Sequence, residues 1–182
     1  MKQLHQSRKH LVVHLVVVAV SMKIEVLEKK HYASVSKIYK EGLATGIASF
    51  ETSIPEWENW DEKFLKQCRY VALIKNEVVA WCSLTSVSKR EVYKGVAEDT
   101  IYVSKLHQGK GIGKKLLQHL INESEKAGFW TLQAGIFAEN KVSIKLHKDY
   151  GFRMVGLRKR IAKREEKWHD IALMERRSLK IN

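Results

Sequence analysis

Only two cysteines occur in 182 residues, Cys68 and Cys82. They cannot build a disulfide framework. Without a C-x-x-C pair they cannot begin a zinc ribbon either, and such sparse usage suits a reducing compartment. Proline is nearly absent, with Pro55 the single example, which excludes collagen-like and polyproline architectures. Acidic residues are outnumbered: 20 Asp and Glu against 33 Lys and Arg leave a net charge of +13. That excess suits nucleic acid, an anionic membrane or a polyanionic small ligand, but no RNA-binding or helix-turn-helix signature accompanies it. Nor is there an apolar run of about 20 residues, the length a membrane-crossing helix needs. The longest candidate, Leu11–Val20, is broken by His14. The length favours one domain.

Residues 1–10 are polar and basic, Leu11–Val20 is apolar, and Ala19-Val20-Ser21 has small residues at its ends. Alone, that order reads as a signal peptide. The segment MKIEVLEKKH from Met22, however, opens like the first strand of a domain. Residues 1–21 are therefore expected to be an N-terminal extension outside the fold, and residues 22–182 a cytoplasmic domain.

Periodicity over those residues predicts the order βααβββαβαββ, hence a single-domain α/β fold with a mixed central sheet and helices on both faces. Helices are expected over His31–Ala44, from Pro55 with Thr52 or Ser53 as cap, over 112–127 with Gly128 as stop, and over Asn140–Asp149. Tyr70–Ile74 and Val78–Val87 read as a hairpin around Asn76-Glu77. Val96–Val103, Trp130–Phe137, Phe152–Ile161 and Trp168–Glu175 supply further strands, the last two joined through Lys163–Lys167.

The sharpest local signal is the run from Val103 to Lys114. A strand ends, Gly109, Gly111 and Gly113 alternate, and an amphipathic helix begins. Glycines let the backbone turn its N–H groups toward one point. At a helix start, unpaired donors and the helix dipole favour negative charge there. Lys110, Lys114 and Lys115 add positive charge. This reads as a pyrophosphate cradle; a glycine-rich helix start with no ligand is the plainer alternative. It is not a Walker loop, because Lys115 stands where Ser or Thr would be required, and no G-x-G-x-x-G occurs.

The segment Gln108-x-x-Gly111-x-Gly113 resembles the Q/R-x-x-G-x-G/A loop of the GNAT N-acetyltransferases. The stretches AEDTIYVSKLHQGKGIGKKLL, GFWTLQAGIFAENKVSIKLHKDYGF and KWHDIALMERR resemble the phosphinothricin and methionine sulfoximine acetyltransferase branch, and the likeness runs from Met22 to Arg177. It implies the GNAT fold and acetyl-CoA as acyl donor, with no metal. The diphosphate would lie on the N–H groups of Gln108, Gly109, Lys110, Gly111, Ile112, Gly113 and Lys114. The strand residues Ile101, Tyr102 and Val103 would contribute main-chain groups, one of them stabilising the carbonyl oxygen. Asn140 and Ser143 would touch the pantetheine and thioester region; Asn140 is also a good helix cap on local grounds.

Acetyl transfer to an amine needs a group to take the amine's proton, a donor for the developing oxyanion, and two substrates held together. Glu98 is the expected base, directly or through water, and matches the branch's strand glutamate. Strand alternation sets Glu98, Thr100 and Tyr102 on one face and Asp99, Ile101 and Val103 on the other, which leaves Asp99 the weaker choice. His147, matching the branch's histidine, is the second catalytic candidate, able to relay a proton near neutral pH; Tyr150 is its rival. The stretch Thr45–Thr52 resembles the family's acceptor-binding segment. Phe50 could cover an aliphatic stem, and Arg90 with Tyr93 could hold a carboxylate. The expected partner is a small-molecule amine, with neither nucleic acid nor membrane, and relatives of this branch are commonly homodimers. A GNAT enzyme acting on a protein N-terminus or lysine is the first alternative, and a non-enzymatic polyanion binder the second.

Overall fold

Apolar spacing decides which residues pair as strands and which wind into helices. A computed structural model describes residues 21–181; residues 1–20 of the expected extension lie outside them. The elements are β1 (Met22–Val26), α1 (Tyr32–Leu43), α2 (Trp57–Lys63), β2 (Tyr70–Ile74), β3 (Glu77–Ser86), β4 (Val96–Val103), α3 (Ile112–Lys126), β5 (Thr131–Phe137), α4 (Lys141–Asp149), β6 (Arg153–Arg164) and β7 (Lys167–Arg177). Their order is the one the periodicity predicts. The strands form one sheet in the order β1-β2-β3-β4-β5-β7-β6. Every neighbouring pair is antiparallel except β4 with β5.

Alternation along the strands divides the core into two layers. On one face α1 and α2 set Val35, Ile38, Tyr39, Leu43, Trp60 and Phe64 against Trp81 of β3. On the other, α3 sets Leu116, Leu117, Leu120 and Ile121 against Cys82, Leu84, Leu132, Ala134 and Met174. Each such fully buried leucine or isoleucine contributes about 1.5–3 kcal/mol. Gly128, at φ +90, ends α3 as expected.

Two local expectations shift. The start of α2 lies past Pro55: Glu56 is the N-cap, and neither Thr52 nor Ser53 caps it. The Tyr32 hydroxyl holds the Pro55 carbonyl, and Trp57 stacks on Trp60 and meets Tyr32. These aromatic contacts fix the entry in place of a hydroxyl cap. The β2–β3 turn is Lys75-Asn76, both at positive φ, one residue earlier than Asn76-Glu77.

One close approach is set by a missing side chain. A Cβ on Gly42, in the last turn of α1, would lie 2.3 Å from Cε1 of Tyr102. Glycine there lets α1 rest on β4 directly over that ring.

Candidate active site

The sheet opens between its two parallel strands. Main-chain pairing of β4 with β5 covers only Val96–Glu98 against Thr131–Gln133. Beyond that, β3 holds β4 as far as Val103, and β7 holds β5 as far as Phe137. Each strand is tied on one side, and between them lies a slot whose main-chain N–H and C=O groups have no strand partner. Glu98 stands at its closed end. The Glu98 carboxylate accepts a hydrogen bond from Gln133 Nε2 at 2.8 Å. Gly135 lies beside it; a Cβ there would sit in ordinary contact with Oε1, at 3.7 Å.

The glycine turn sits at the other end of β4. Gly109 and Gly111 have φ of +75 and +78, and a Cβ on either would meet nothing within 4 Å, so backbone conformation alone demands glycine there. Gly113 differs from its expected part in the turn: it lies inside α3, packed toward Val103 and Leu146. Gly111 is the N-cap, and Lys115 N–H returns to its carbonyl at 3.2 Å. The N–H groups of Ile112, Gly113 and Lys114 come before that bond and point out of the helix end. Three contacts brace the turn. Gln108 Nε2 donates to Val103 O at 3.2 Å, Ser104 Oγ meets His107 Nδ1 at 2.8 Å, and Lys105 N–H donates to Glu41 Oε2 at 2.8 Å. Lys110, Lys114 and Lys115 are exposed around it. Donors and cations of this kind suit a diphosphate. The side chains of Ile101, Val103 and Ile112 pack into the α3 core, so only their main-chain groups face the slot.

The second catalytic candidate lies elsewhere. His147 is buried, and its Nε2 is 2.9 Å from Asp99 Oδ2 while its Nδ1 is 2.8 Å from the Ser143 carbonyl. A carbonyl only accepts, so Nδ1 carries hydrogen; the carboxylate on the other side requires a proton there as well. The ring is therefore held as an imidazolium paired with an aspartate. Burial opposes that charge, but the Asp99 carboxylate and the bonds to Asp99 and Ser143 outweigh it and raise the His147 pKa. Asp99 Oδ1 is buried without a partner among the described residues. The structure does not bring Glu98 and His147 together, since Asp99 projects to the opposite face of β4 from Glu98. The Asp99–His147 pair, which spans 48 positions, joins β4 to α4 across the slot. Sequence reasoning missed the pair. An acid alternating onto the apolar face, with a histidine on the helix that covers that face, was the available signal.

Above the slot runs the segment between α1 and α2. Asn140 caps α4, its side chain accepting from Ser143 N–H at 3.1 Å, and its Nδ2 donates to Ile47 O at 3.4 Å. Tyr102 OH donates to Ala48 O at 3.2 Å. The Phe50 ring packs on Phe137 at 4.6 Å and faces His169 at 6.2 Å. The segment is thus pinned to both walls, and Phe50 sits at the mouth. Arg90 and Tyr93 form a cation–π pair at 5.5 Å on an exposed turn before β4. The slot opens toward the other end of that strand, and neither residue bonds to Glu98 or Phe50 among the described residues.

Residues 35–152 match the acetyltransferase (GNAT) family. The chain belongs to that family. An L-methionine sulfoximine/L-methionine sulfone acetyltransferase of Salmonella typhimurium is 28% identical over 160 residues, 85% of this chain and 93% of the relative. The crystal structure of a GNAT phosphinothricin acetyltransferase from Sinorhizobium meliloti in complex with AcCoA matches with a TM-score of 0.81 at 28% identity, covering 88% of this chain and 90% of the other. A ribosomal-protein-alanine N-acetyltransferase structure from Brucella melitensis matches at 0.79 and 27% identity, covering 86% and 99%. The mixed seven-stranded sheet is the GNAT fold that the glycine loop implies.

Proposed function

We propose that the protein is a cytoplasmic N-acetyltransferase that moves an acetyl group from acetyl-CoA to the primary amine of a small amino-acid-like acceptor, with Glu98 as general base. The observation that carries this reading is the parting of β4 and β5 just beyond Glu98, with the outward N–H groups of Ile112–Lys114 at the far end of β4. Acetyl-CoA, when bound, supplies an activated thioester carbonyl and a thiolate leaving group. The amides of Gln108–Lys114 and the three lysines hold its diphosphate. In this reading the main chain of β4 at Ile101, Tyr102 and Val103 lies along the arm and donates to the carbonyl oxygen as charge grows on it. Asn140 and Ser143, at the start of α4, line the slot from the β5 side. Glu98 takes the amine's proton directly or through one water, and Gln133 keeps its carboxylate oriented. The Asp99–His147 pair sets the position of α4, and Phe50 covers the acceptor's stem.

Acetylation of a protein N-terminus or lysine is the second reading. The pinned segment Ile47–Phe50 across the mouth favours a small acceptor over a polypeptide. A thiol-release screen with acetyl-CoA decides. Free amino acids, methionine sulfoximine and phosphinothricin are expected to release CoA, and polyamines and peptides to release little. Absence of thiol release with every amine, together with no heat of acetyl-CoA binding, would overturn the proposal.

A further inference from the structure

The long basic strand β6 ends in a residue that does not face solvent. The Arg164 side chain is only 9% exposed. Its Nη2 donates to the Leu43 carbonyl at the end of α1 at 3.0 Å, and its Nε is buried without a partner among the described residues. It passes close to Gly46: at φ +74, a Cβ there would lie 3.2 Å from Nη1, a tight contact that the guanidinium would have to shift to relieve. The carboxylate it meets, Glu165 at 3.6 Å, is 73% exposed and so compensates the guanidinium weakly. Arg164 lines a cleft of about 390 Å³ with Lys40, Thr52, Ser53 and Ile54. Two cationic and two hydroxyl-bearing residues therefore line one cleft beside the α1–α2 segment, whose middle, Ile47–Phe50, runs above the slot.

A guanidinium offers five donors in a planar fork that matches a carboxylate. Here one is spent on a main-chain carbonyl that locks the side chain in place. We infer that Arg164, with Lys40 and the Thr52 and Ser53 hydroxyls, forms an anion subsite that receives the carboxylate of a free amino-acid acceptor. This rests on the functional reading above and narrows it. An acceptor with its carboxylate intact is recognised, whereas the N-terminal residue of a polypeptide, whose carboxylate is an amide, is not.

The test compares a free amino acid with its own carboxamide, using methionine and methionine amide if both are acetylated. In the wild type, kcat/KM is expected to favour the acid. In Arg164→Gln that preference is expected to fall about 10- to 100-fold, the worth of a charged hydrogen-bonded contact, through KM for the acid and with the acetyl-CoA KM retained. Arg164→Lys, which keeps the charge but loses the fork, is expected to restore part of the preference. Thermal unfolding of both variants controls for a fold held together by the Leu43 contact. If Arg164→Gln does not fold, Lys40→Gln and Thr52→Val carry the same comparison. Calorimetry with methionine and its amide reads the subsite without turnover. Acid-selective binding in a protein that acetylates no amine would therefore sink the functional reading and keep the subsite. Equal binding of acid and amide, or an equal loss for both in Arg164→Gln, would sink the subsite.

Discussion

Glu98 and Asp99 are neighbours in sequence and opposites in circumstance. Glu98 points to the α1–α2 face at the apex of the slot, partly exposed and bonded to one amide. Asp99 points to the α3–α4 face, wholly buried and paired with an imidazolium. One carboxylate has lone pairs left and access to water, as a base requires. The other has spent its charge on holding a helix. Both are carboxylates, and the alternation of a strand decides which one stays open to the slot and which is buried in an ion pair.

That contrast can be broken by substitution. Glu98→Gln keeps shape and the chance of a hydrogen bond, so turnover is expected to fall about 10²- to 10⁴-fold, with acetyl-CoA affinity and melting temperature nearly retained; steady-state CoA release and calorimetry check both. Asp99→Ala removes the carboxylate that keeps the buried ring protonated, so His147 is expected to give up its proton, and the lost charged hydrogen bond is expected to cost about 1–3 kcal/mol of stability in urea unfolding. The pH dependence has a definite sign. His147 holds its proton more tightly folded than unfolded, so its contribution is complete below the unfolded value of about 6.5. It is lost as pH rises through the raised folded value. The stability gap between wild type and His147→Ala should accordingly narrow on going from mildly acidic to alkaline pH, and a gap that widens would contradict the ion pair. Gly42→Ala sharpens the Glu98 side of the comparison. Its new methyl meets the Tyr102 ring, with an expected cost of about 1–3 kcal/mol and a disturbed Ala48 contact, read by thermal melting and acceptor KM. Asn140→Ala is the smallest expected change, about 1 kcal/mol for a lost cap, and removes the tie to Ile47; hydrogen exchange at the start of α4 checks it.

Much of the fold was legible because long apolar periods leave little choice. The α3 stripe, the β4 run and the element order all follow from spacing. The glycine turn was legible too, since few other reasons place two left-handed glycines before a helix. What stayed hidden was long-range or lacked a side-chain code. The bond from Asp99 to His147 joins distant positions that no local pattern links. The carbonyls of Ile47, Ala48 and Leu43 are recognised as backbone, so their letters say nothing. Arg164 was masked by its company, for in a strand of arginines and lysines composition reads every cation as solvated. Arg90 stood out in the sequence as a carboxylate binder, yet its turn leads to the paired end of β4.

The three-residue contact between β4 and β5 follows chain order. One wall of the slot is built before Gly128 and the other after it. A polypeptide severed at that glycine would yield two fragments, each keeping its own half of the sheet. They would meet along a three-residue ladder, the Asp99–His147 and Glu125–Arg176 ion pairs, side-chain bonds from Gln133, Asn140 and Arg164, and the packing of α3 and Phe50. The slot is thus also the seam where the main-chain ladder of the sheet is shortest.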